Sequence, residues 1–295
     1  MTRSVISKSV TGSRPPAGAY SFESIANRYD ETRRLPPREA RAIARGIARA
    51  ARLRSCDRLL EIGVGTGRVA VPLLARGADV VGLDLSPSMM HLFRSKAAPK
   101  SPGAVCGDLL ALPFKSAAFS AVLGACVFHL VARWRDALDE IRRVLAPGGC
   151  LLHSWHCPAP GSVEHELRAE LSAIALRRGA SIERPGARDA AELIEALTNA
   201  GATTRTVRLA SWVSATTPGS MIELLRSGAF SYTWSLEPRL ACDCIDELED
   251  WASRRFRKLD VSIPFRETFE LHVHEFPKRS RRSRSGARLL DASSS

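Results

Sequence analysis

Residues 59–67 read LLEIGVGTG, and this stretch decides the fold. An apolar run leads directly into a turn with three glycines, and a segment with helical periodicity follows. Glycine adopts positive φ angles easily and lets backbone N–H groups approach a ligand closely. The start of the following helix adds further unpaired N–H donors. The pattern therefore predicts a strand–turn–helix unit with a ligand at the turn.

Short apolar runs alternate with helical patterns along the rest of the chain. Runs such as VVGL at 80–83 are continuously apolar, as expected for strands covered on both faces. This alternation predicts an α/β fold, a doubly wound, seven-stranded and mainly parallel sheet, with helical additions after strands 5 and 6. The predicted strands are 58–63, 79–84, 104–107, 119–125, 150–155, 203–212 and 266–275. The predicted helices are 36–55, 67–76, 87–97, 133–145, 162–178, 188–200, 218–227 and 238–258.

Acidic residues end the second strand and follow the third. Asp84 lies about 20 residues after the glycines, where a carboxylate can accept hydrogen bonds from both ribose hydroxyls of a nucleoside. Asp108 is placed for the exocyclic amine of adenine, and Leu109 for the face of its ring. The three turns together predict a nucleoside site.

The glycine spacing distinguishes two kinds of nucleoside ligand. Gly63, Gly65 and Gly67 are spaced Gly-x-Gly-x-Gly, whereas the nicotinamide dinucleotide fingerprint has its third glycine one residue later, where Arg68 stands. Glu61 would repel a pyrophosphate but suits a cationic ligand with an amino group. A nicotinamide oxidoreductase is therefore a disfavoured alternative.

Residues 60–67 resemble motif I of the class I S-adenosylmethionine-dependent methyltransferases. The segments VGLDLSPSMM at 81–90 and GDLLALPF at 107–114 are similar to the ribose-side and adenine-side segments of that family. Within the family, the sequence resembles the small-molecule branch that includes the ubiquinone/menaquinone C-methyltransferases. FESIANRYD at 22–30 resembles the opening helix of that group, which covers the cofactor. One departure is Ser120, where the family usually has aspartate.

The resemblance implies a Rossmann-like fold and S-adenosyl-L-methionine as cofactor, with S-adenosyl-L-homocysteine as product. The implied cofactor contacts are Tyr29, Glu61, Gly63, Gly65, Asp84, Leu85, Met89, Asp108, Leu109 and Ala125. Of these, Glu61, Gly63 and Gly65 would line the amino-acid moiety. Asp84 would hold the ribose and Ala125 would lie near the methionine part. Met89 and Leu109 would enclose adenine, and Tyr29 would close the site.

The implied reaction is an in-line displacement at the methyl carbon of a sulfonium, for which no metal is required. Positioning can lower such a barrier by ~7–11 kcal/mol. A general base adds roughly 10²–10⁴-fold only where the acceptor loses a proton. His129, after the fourth strand, is the candidate base, and the alternative is a hydrogen-bonded histidine that shapes the pocket. His153 and His156 are weaker candidates.

The methyl acceptor stays open at this point. Helical insertions at about 157–186 and 213–262 follow strand ends, where open α/β sheets bind ligands. Their aromatic residues could build an apolar acceptor pocket, although core packing is the commoner role for any one of them. They are Trp155, Phe230, Tyr232, Trp234 and Trp251. We expect a small-molecule acceptor, and the oligomeric state cannot be predicted.

The positive charge is concentrated at the two ends of the chain. The 295 residues carry a net charge of +12. Residues 1–20 contain three basic and no acidic groups, and residues 277–295 contain six basic groups and one acid. These patterns predict disordered tails at 1–19 and 277–295 around a single domain at 20–276. A nucleic-acid partner is therefore disfavoured. A tRNA or rRNA methyltransferase and a non-catalytic cofactor-binding protein stay as alternatives.

The cysteine pattern and the apolar runs predict a cytoplasmic protein without metal. Seven cysteines without Cys-x-x-Cys indicate reduced thiols. The longest apolar run, 121–132, is shorter than the about 20 residues of a membrane-spanning helix. No secretory signal is recognisable at the N-terminus. His272 with His274 and Cys242 with Cys244 match no common zinc module.

Overall fold

The computed structural model describes residues 22–33, 35–100 and 102–277. Its strands are β1 (Arg58–Ile62), β2 (Asp79–Asp84), β3 (Gly103–Cys106), β4 (Phe119–Ala125), β5 (Leu145–Ser154), β6 (Thr203–Thr216) and β7 (Ile263–Glu275). They form one seven-stranded sheet in the order β3-β2-β1-β4-β5-β7-β6. The first five strands are parallel, and β7 runs antiparallel to both β5 and β6. The predicted doubly wound, mainly parallel sheet is confirmed.

Helices cover both faces of this sheet. They are α1 (Tyr29–Arg33), α2 (Pro37–Ala50), α3 (Ala70–Ala75), α4 (Pro87–Ala97), α5 (Trp134–Val144), α6 (Val163–Arg177), α7 (Ala190–Asn199), α8 (Pro218–Arg226) and α9 (Pro238–Phe256). The helical additions predicted after strands 5 and 6 are confirmed, since α6 follows β5, and α8 and α9 follow β6. Several boundaries were wrong. The helix expected over 36–55 ends at Ala50, the strand expected over 150–155 begins at Leu145, and the strand expected over 203–212 extends to Thr216. The helix expected from residue 67 begins at Ala70, because Gly63, Gly65 and Gly67 all have positive φ.

Alternate residues of the central strands bury opposite faces of the sheet. Leu60 and Ile62 of β1 face a core formed with α5 and α7, whereas Leu59 faces a core formed with α2, α3 and α4. Alternation of this kind follows from the period of two along a strand. The added helices α6, α8 and α9 form a third apolar cluster of their own.

Three histidines pack together where β5 joins β7. The rings of His153 and His274 are nearly parallel, and Nδ1 of His153 lies 2.8 Å from Nε2 of His274. The ring of His272 stacks on His153 with centroids 4.5 Å apart. Thr204 and Thr206 of β6 hydrogen-bond to Nδ1 of His274 and His272, each at 2.8 Å. These contacts join the last three strands of the sheet.

We expect this histidine cluster to make the fold acid-sensitive. Burial lowers the pKa of all three histidines, and that of His274 falls to about 4. Below the ordinary histidine pKa of 6.5, the unfolded chain therefore binds protons that the folded chain does not. As the pH falls from 6.5 towards 4, stability should decrease by up to about 1.4 kcal/mol per pH unit for each buried histidine.

Denaturant unfolding at several pH values tests this expectation. The variant H272Q/H274Q should lose less stability than the wild type over that interval, whereas H91Q, which replaces an exposed histidine of α4, should follow the wild type. Parallel pH profiles for the wild type and H272Q/H274Q would contradict the prediction.

The described residues contain neither a helix that could span a membrane nor a cluster of metal-binding side chains. None of their helices is both long and apolar enough to cross a membrane. Within residues 22–33, 35–100 and 102–277, no group of three or more His, Cys, Asp or Glu could hold a metal ion. The predicted tail at 1–19 lies outside the described residues, and so do residues 278–295 of the predicted tail at 277–295.

Candidate active site

A cavity of about 480 Å³ opens at the carboxyl ends of β1, β2, β3 and β4. The strand order reverses between β1 and β4, so the loops after these two strands diverge. Open α/β sheets bind ligands at such a reversal. The cavity is lined by every residue that the resemblance implied, including His129, with the exception of Glu61.

The glycine turn after β1 forms one wall of the cavity. Gly63 has a φ of +62°, and a Cβ atom there would lie 2.6 Å from Cγ2 of Val127. Gly65 has a φ of +55° and faces the ring of Tyr29. Only glycine fits both the backbone angles and the close approach at Gly63. The turn therefore presents bare backbone to the cavity.

Asp84 connects the glycine turn to the start of α4. Its carboxylate accepts hydrogen bonds from the backbone N–H of Gly65 at 2.8 Å and of Ser86 at 2.9 Å. Burial raises the pKa of Asp84, and the N–H donors of Ser86, Gly65 and Leu85 oppose this rise. Each of the two oxygens keeps a further lone pair, so the carboxylate can also accept hydrogen bonds from hydroxyl groups of a ligand in the cavity.

Apolar side chains from the second and third βα units enclose the adjoining part of the cavity. Ser86 caps α4 by accepting the N–H of Met89 at 3.1 Å, and this cap fixes the buried Met89 at the first turn. Leu109 lies in a one-turn 3₁₀ helix that Asp108 caps through the N–H of Leu110 at 2.9 Å. Met89, Leu109 and Leu85 all line the cavity. The arrangement suits a flat apolar ring with a polar edge.

Glu61 lies behind the glycine turn and not on the cavity wall. Its side chain is only 1% exposed, and its Oε2 has no hydrogen-bond partner among the described residues. Burial raises the pKa of Glu61 to about 8, although Arg68 lowers it in part. The Ala70 N–H at the start of α3 also donates to this carboxylate. An orphaned buried oxygen of this kind is a vacant hydrogen-bond position, and it fits a cationic amino group.

The segment 22–33 lies over the cavity and is held by both neighbouring βα units. Glu23 accepts hydrogen bonds from the hydroxyls of Ser86 and Ser88. Thr66 of the glycine turn donates to Asp30 at 2.6 Å, and Lys96 of α4 pairs with the same carboxylate. Tyr29 lines the cavity from this segment. These contacts make residues 22–33 a cover over the glycine turn.

His129 lies at the opposite side of the cavity, in the one-turn 3₁₀ helix Phe128–Leu130 after β4. Its carbonyl oxygen accepts the Gly186 N–H at 3.1 Å, whereas its buried Nδ1 has no partner in the described part of the chain. Burial, together with the positive charges of Arg184, Arg33 and Arg168, lowers the pKa of His129 to about 3, and burial has the largest effect. The ring is therefore neutral near pH 7, and a pKa this low makes it a weak base until a negative charge nearby raises it.

The sequence did not predict several of the residues that line the cavity. They are Phe22, Arg33, Cys126, Pro185 and Ser231. Arg33 and Ser231 come from segments about 200 residues apart in the chain, and no local motif marks either. The five aromatic candidates do not line the cavity. Phe230, Tyr232 and Trp251 belong to the third apolar cluster, and Trp155 contacts the ring of His129 with centroids 5.5 Å apart. Trp234 packs against Phe22 at 4.7 Å.

Comparison of the sequence with known proteins points to one family. A family profile described as a methyltransferase domain matches residues 60–153. The demethylmenaquinone methyltransferase of Deinococcus radiodurans is 35% identical over 184 residues, which are 57% of this chain and 76% of the relative. The chain belongs to the class I S-adenosylmethionine-dependent methyltransferases. The family resemblance noted from the motifs is thus confirmed.

Other relatives of this methyltransferase agree at the level of family and fold. The demethylmenaquinone methyltransferase of Thermus thermophilus is 38% identical over 149 residues, 47% of this chain and 66% of the relative, slightly less than two thirds of its length. The YcgJ protein of Bacillus subtilis has a TM-score of 0.54 at 19% identity, over 80% of this chain and 98% of that one. At this identity the second likeness shows the fold alone.

Proposed function

We propose that this methyltransferase binds S-adenosylmethionine in the cavity at the strand ends and transfers its methyl group to a small-molecule acceptor. One observation carries the proposal. The glycine turn, Asp84 and the apolar pair Met89 and Leu109 meet around a single cavity, with the orphaned carboxylate of Glu61 behind the turn. A nucleoside with a cationic amino-acid tail matches each of these groups.

The residues present fit that cofactor in the following roles. Asp84 would accept hydrogen bonds from the ribose hydroxyls. Met89 and Leu109 would enclose the adenine ring, and Asp108 would lie at the edge of that ring. Gly63 and Gly65, which carry no side chains, would let the amino-acid moiety approach the backbone of the turn closely, and Glu61 would balance its ammonium group. When bound, S-adenosylmethionine supplies a methyl group made electrophilic by a sulfonium.

The contribution of the chain to the reaction is positioning and exclusion of water. The cover formed by residues 22–33 shields the cavity above the glycine turn, while Ala125 and His129 bound its far side. Holding an acceptor in line with the methyl carbon can lower the barrier by ~7–11 kcal/mol. The neutral imidazole of His129 would take a proton from an acceptor that must lose one.

Calorimetry tests the cofactor class directly. S-adenosylhomocysteine should bind the wild-type protein with one site per chain, and NAD should give no saturable heat. The reverse preference would overturn the proposal and restore the oxidoreductase alternative. Radiolabelled methyl transfer to a panel of O-, N- and C-nucleophiles separates an enzyme from a non-catalytic binding protein. Inclusion of tRNA and rRNA in the panel tests the nucleic-acid alternative.

We expect His129→Ala to lose methyl transfer without losing the cofactor. Loss of a general base costs roughly 10²–10⁴-fold in rate, whereas His129 makes no contact assigned to the nucleoside. The measurement is kcat for an acceptor that the wild type methylates, together with calorimetry for S-adenosylhomocysteine. H91Q is the matched control, because His91 is exposed on α4. An unchanged kcat in His129→Ala would leave His129 as a residue that only shapes the pocket.

A further inference from the structure

Three arginines act electrostatically on His129, and of these three only Arg33 is on the wall of the cavity. Arg33 lines the cavity itself, from the end of α1. Arg184 precedes the cavity-lining Pro185, in a loop that is held to the His129 segment by the Gly186 and Ala187 N–H groups. Arg168 projects from α6. All three side chains are half-buried.

Aromatic rings hold the three guanidinium groups in place. Arg33 lies 4.8 Å from the ring centroid of Phe230, and Arg168 lies 4.9 Å from that of Tyr232. Those two rings stack on each other at 5.4 Å and flank the cavity-lining Ser231. Arg184 lies 5.8 Å from the ring of Trp155, which in turn contacts His129. Cation–π contacts orient a guanidinium but leave its N–H donors available.

The charge of this arginine cluster is not balanced locally. Arg33 donates to the Thr32 hydroxyl and to the Ala229 carbonyl, and Arg184 donates to the Arg188 carbonyl, so these partners are neutral. In the described part of the chain no carboxylate forms an ion pair with Arg33, Arg168 or Arg184. Glu164 interacts electrostatically with Arg33 and Arg168 and hydrogen-bonds to His156 at 3.2 Å, so it sets one negative charge against the three positive charges. The cluster thus retains a positive excess.

Burial lowers the pKa of Arg184, and repulsion from Arg168 lowers it further. Two half-buried cations that repel each other are stabilised by an anion between them, because charge-assisted and bidentate hydrogen bonds to guanidinium are strong. The same cations depress the pKa of His129, so a bound anion would also restore its basicity.

We infer that the methyl acceptor is an anionic small molecule, whose carboxylate or phosphate group binds to Arg33, Arg168 and Arg184 beside His129. The inference deepens the proposed function and rests on it, since the acceptor must share the cavity with the cofactor. The anionic group anchors one end of the acceptor at the arginine cluster. The nucleophilic atom then lies towards Ala125 and the methyl group.

Binding of matched aromatic probes to protein saturated with S-adenosylhomocysteine tests the inference. The probes are benzoate, phenyl phosphate and the neutral benzamide, measured by calorimetry at millimolar concentration. At least one anion should bind about tenfold more tightly than benzamide. The tighter anion identifies the carboxylate or the phosphate as the preferred group.

The arginine variants locate the anion. R168Q and R184Q should each weaken binding of the preferred anion by about tenfold while leaving affinity for S-adenosylhomocysteine and the melting temperature unchanged. R188Q is the matched control, because it removes an exposed positive charge four residues after Arg184. Equal binding of benzamide and the anions, absence of anion binding, or unchanged binding in both R168Q and R184Q would overturn the inference.

The two proposals fail in different ways. If S-adenosylhomocysteine does not bind the wild type, the proposed function fails. Titration of the same anions into the protein alone then still decides whether the arginine cluster is an anion site. If S-adenosylhomocysteine binds but benzamide matches the anions, the methyltransferase proposal stands and the anionic acceptor is wrong.

Discussion

Replacing Asp84 with alanine is expected to reduce the affinity for S-adenosylhomocysteine by about a hundredfold or more. A hydrogen bond to a charged group contributes about 1.5–3 kcal/mol, and two ribose hydroxyls would lose such a partner. The substitution also frees the Gly65 and Ser86 N–H groups that the carboxylate now accepts at 2.8 and 2.9 Å. The glycine turn and the start of α4 would then lose their common anchor.

A second variant separates lost binding from lost structure. Asp84→Asn keeps the size of the side chain and one of the two oxygens that accept the Gly65 and Ser86 N–H groups, so it should lower the melting temperature less than Asp84→Ala and weaken binding by at least about tenfold. Asp79→Asn is the matched control, because Asp79 lies at the other end of the same strand, is exposed and pairs with Arg58 at 2.7 Å. Calorimetry with S-adenosylhomocysteine measures all three proteins. Wild-type affinity in Asp84→Ala would remove the basis of the proposed site.

Replacing Glu61 with glutamine should stabilise the protein without ligand and weaken its cofactor binding. The folded-state pKa of Glu61 is raised from 4.5 to about 8 by burial. Between pH 4.5 and 8 the folded chain keeps a proton on Glu61 that the unfolded chain has released. The folded state therefore loses stability as the pH rises through this interval. The wild type should therefore lose up to about 1.4 kcal/mol of unfolding free energy per pH unit relative to Glu61→Gln over this interval.

Cofactor binding should change in the opposite direction. An ammonium group beside Glu61 favours the ionised carboxylate, so binding at pH 7 releases a proton from the wild type but not from the variant. Calorimetry in two buffers of different ionisation enthalpy measures that release, and affinity should fall by about tenfold or more in Glu61→Gln. E223Q, an exposed acid of α8, serves as the control for both measurements. Equal proton release in the wild type and Glu61→Gln would separate Glu61 from the cofactor.

Local sequence patterns predicted most of the sheet because each βα unit carries its own signal. Continuous apolar runs mark strands with both faces covered, and Ser86 followed by Pro87 marks the start of α4. Boundaries were less accurate where backbone geometry is unusual. The positive φ of Gly67 postpones the helix to Ala70, and a register shift between Phe119 and Ala121 accompanies the early start of β5 at Leu145.

The acceptor side of the cavity could not be predicted for a physical reason. The glycine turn and Asp84 meet because parallel strands end at one edge, so their sequence positions imply their proximity. Arg33, Arg168 and Arg184 come from three separate elements and meet only through the packing of the added helices against residues 22–33. Non-local packing of this kind leaves no periodic or spaced pattern in the chain.

The sequence by itself determined the doubly wound sheet, the family and most of the residues that line the cavity at the glycine turn and the ends of β2 and β3. The tertiary structure alone decided that Glu61 is buried with an oxygen that has no partner among the described residues, that three histidines join the last strands, and that three arginines act electrostatically on His129. The physical reason is the same in each case. Burial and charge depend on what the rest of the chain places around a side chain, whereas strands, turns and their ligands depend on residues that are neighbours in sequence.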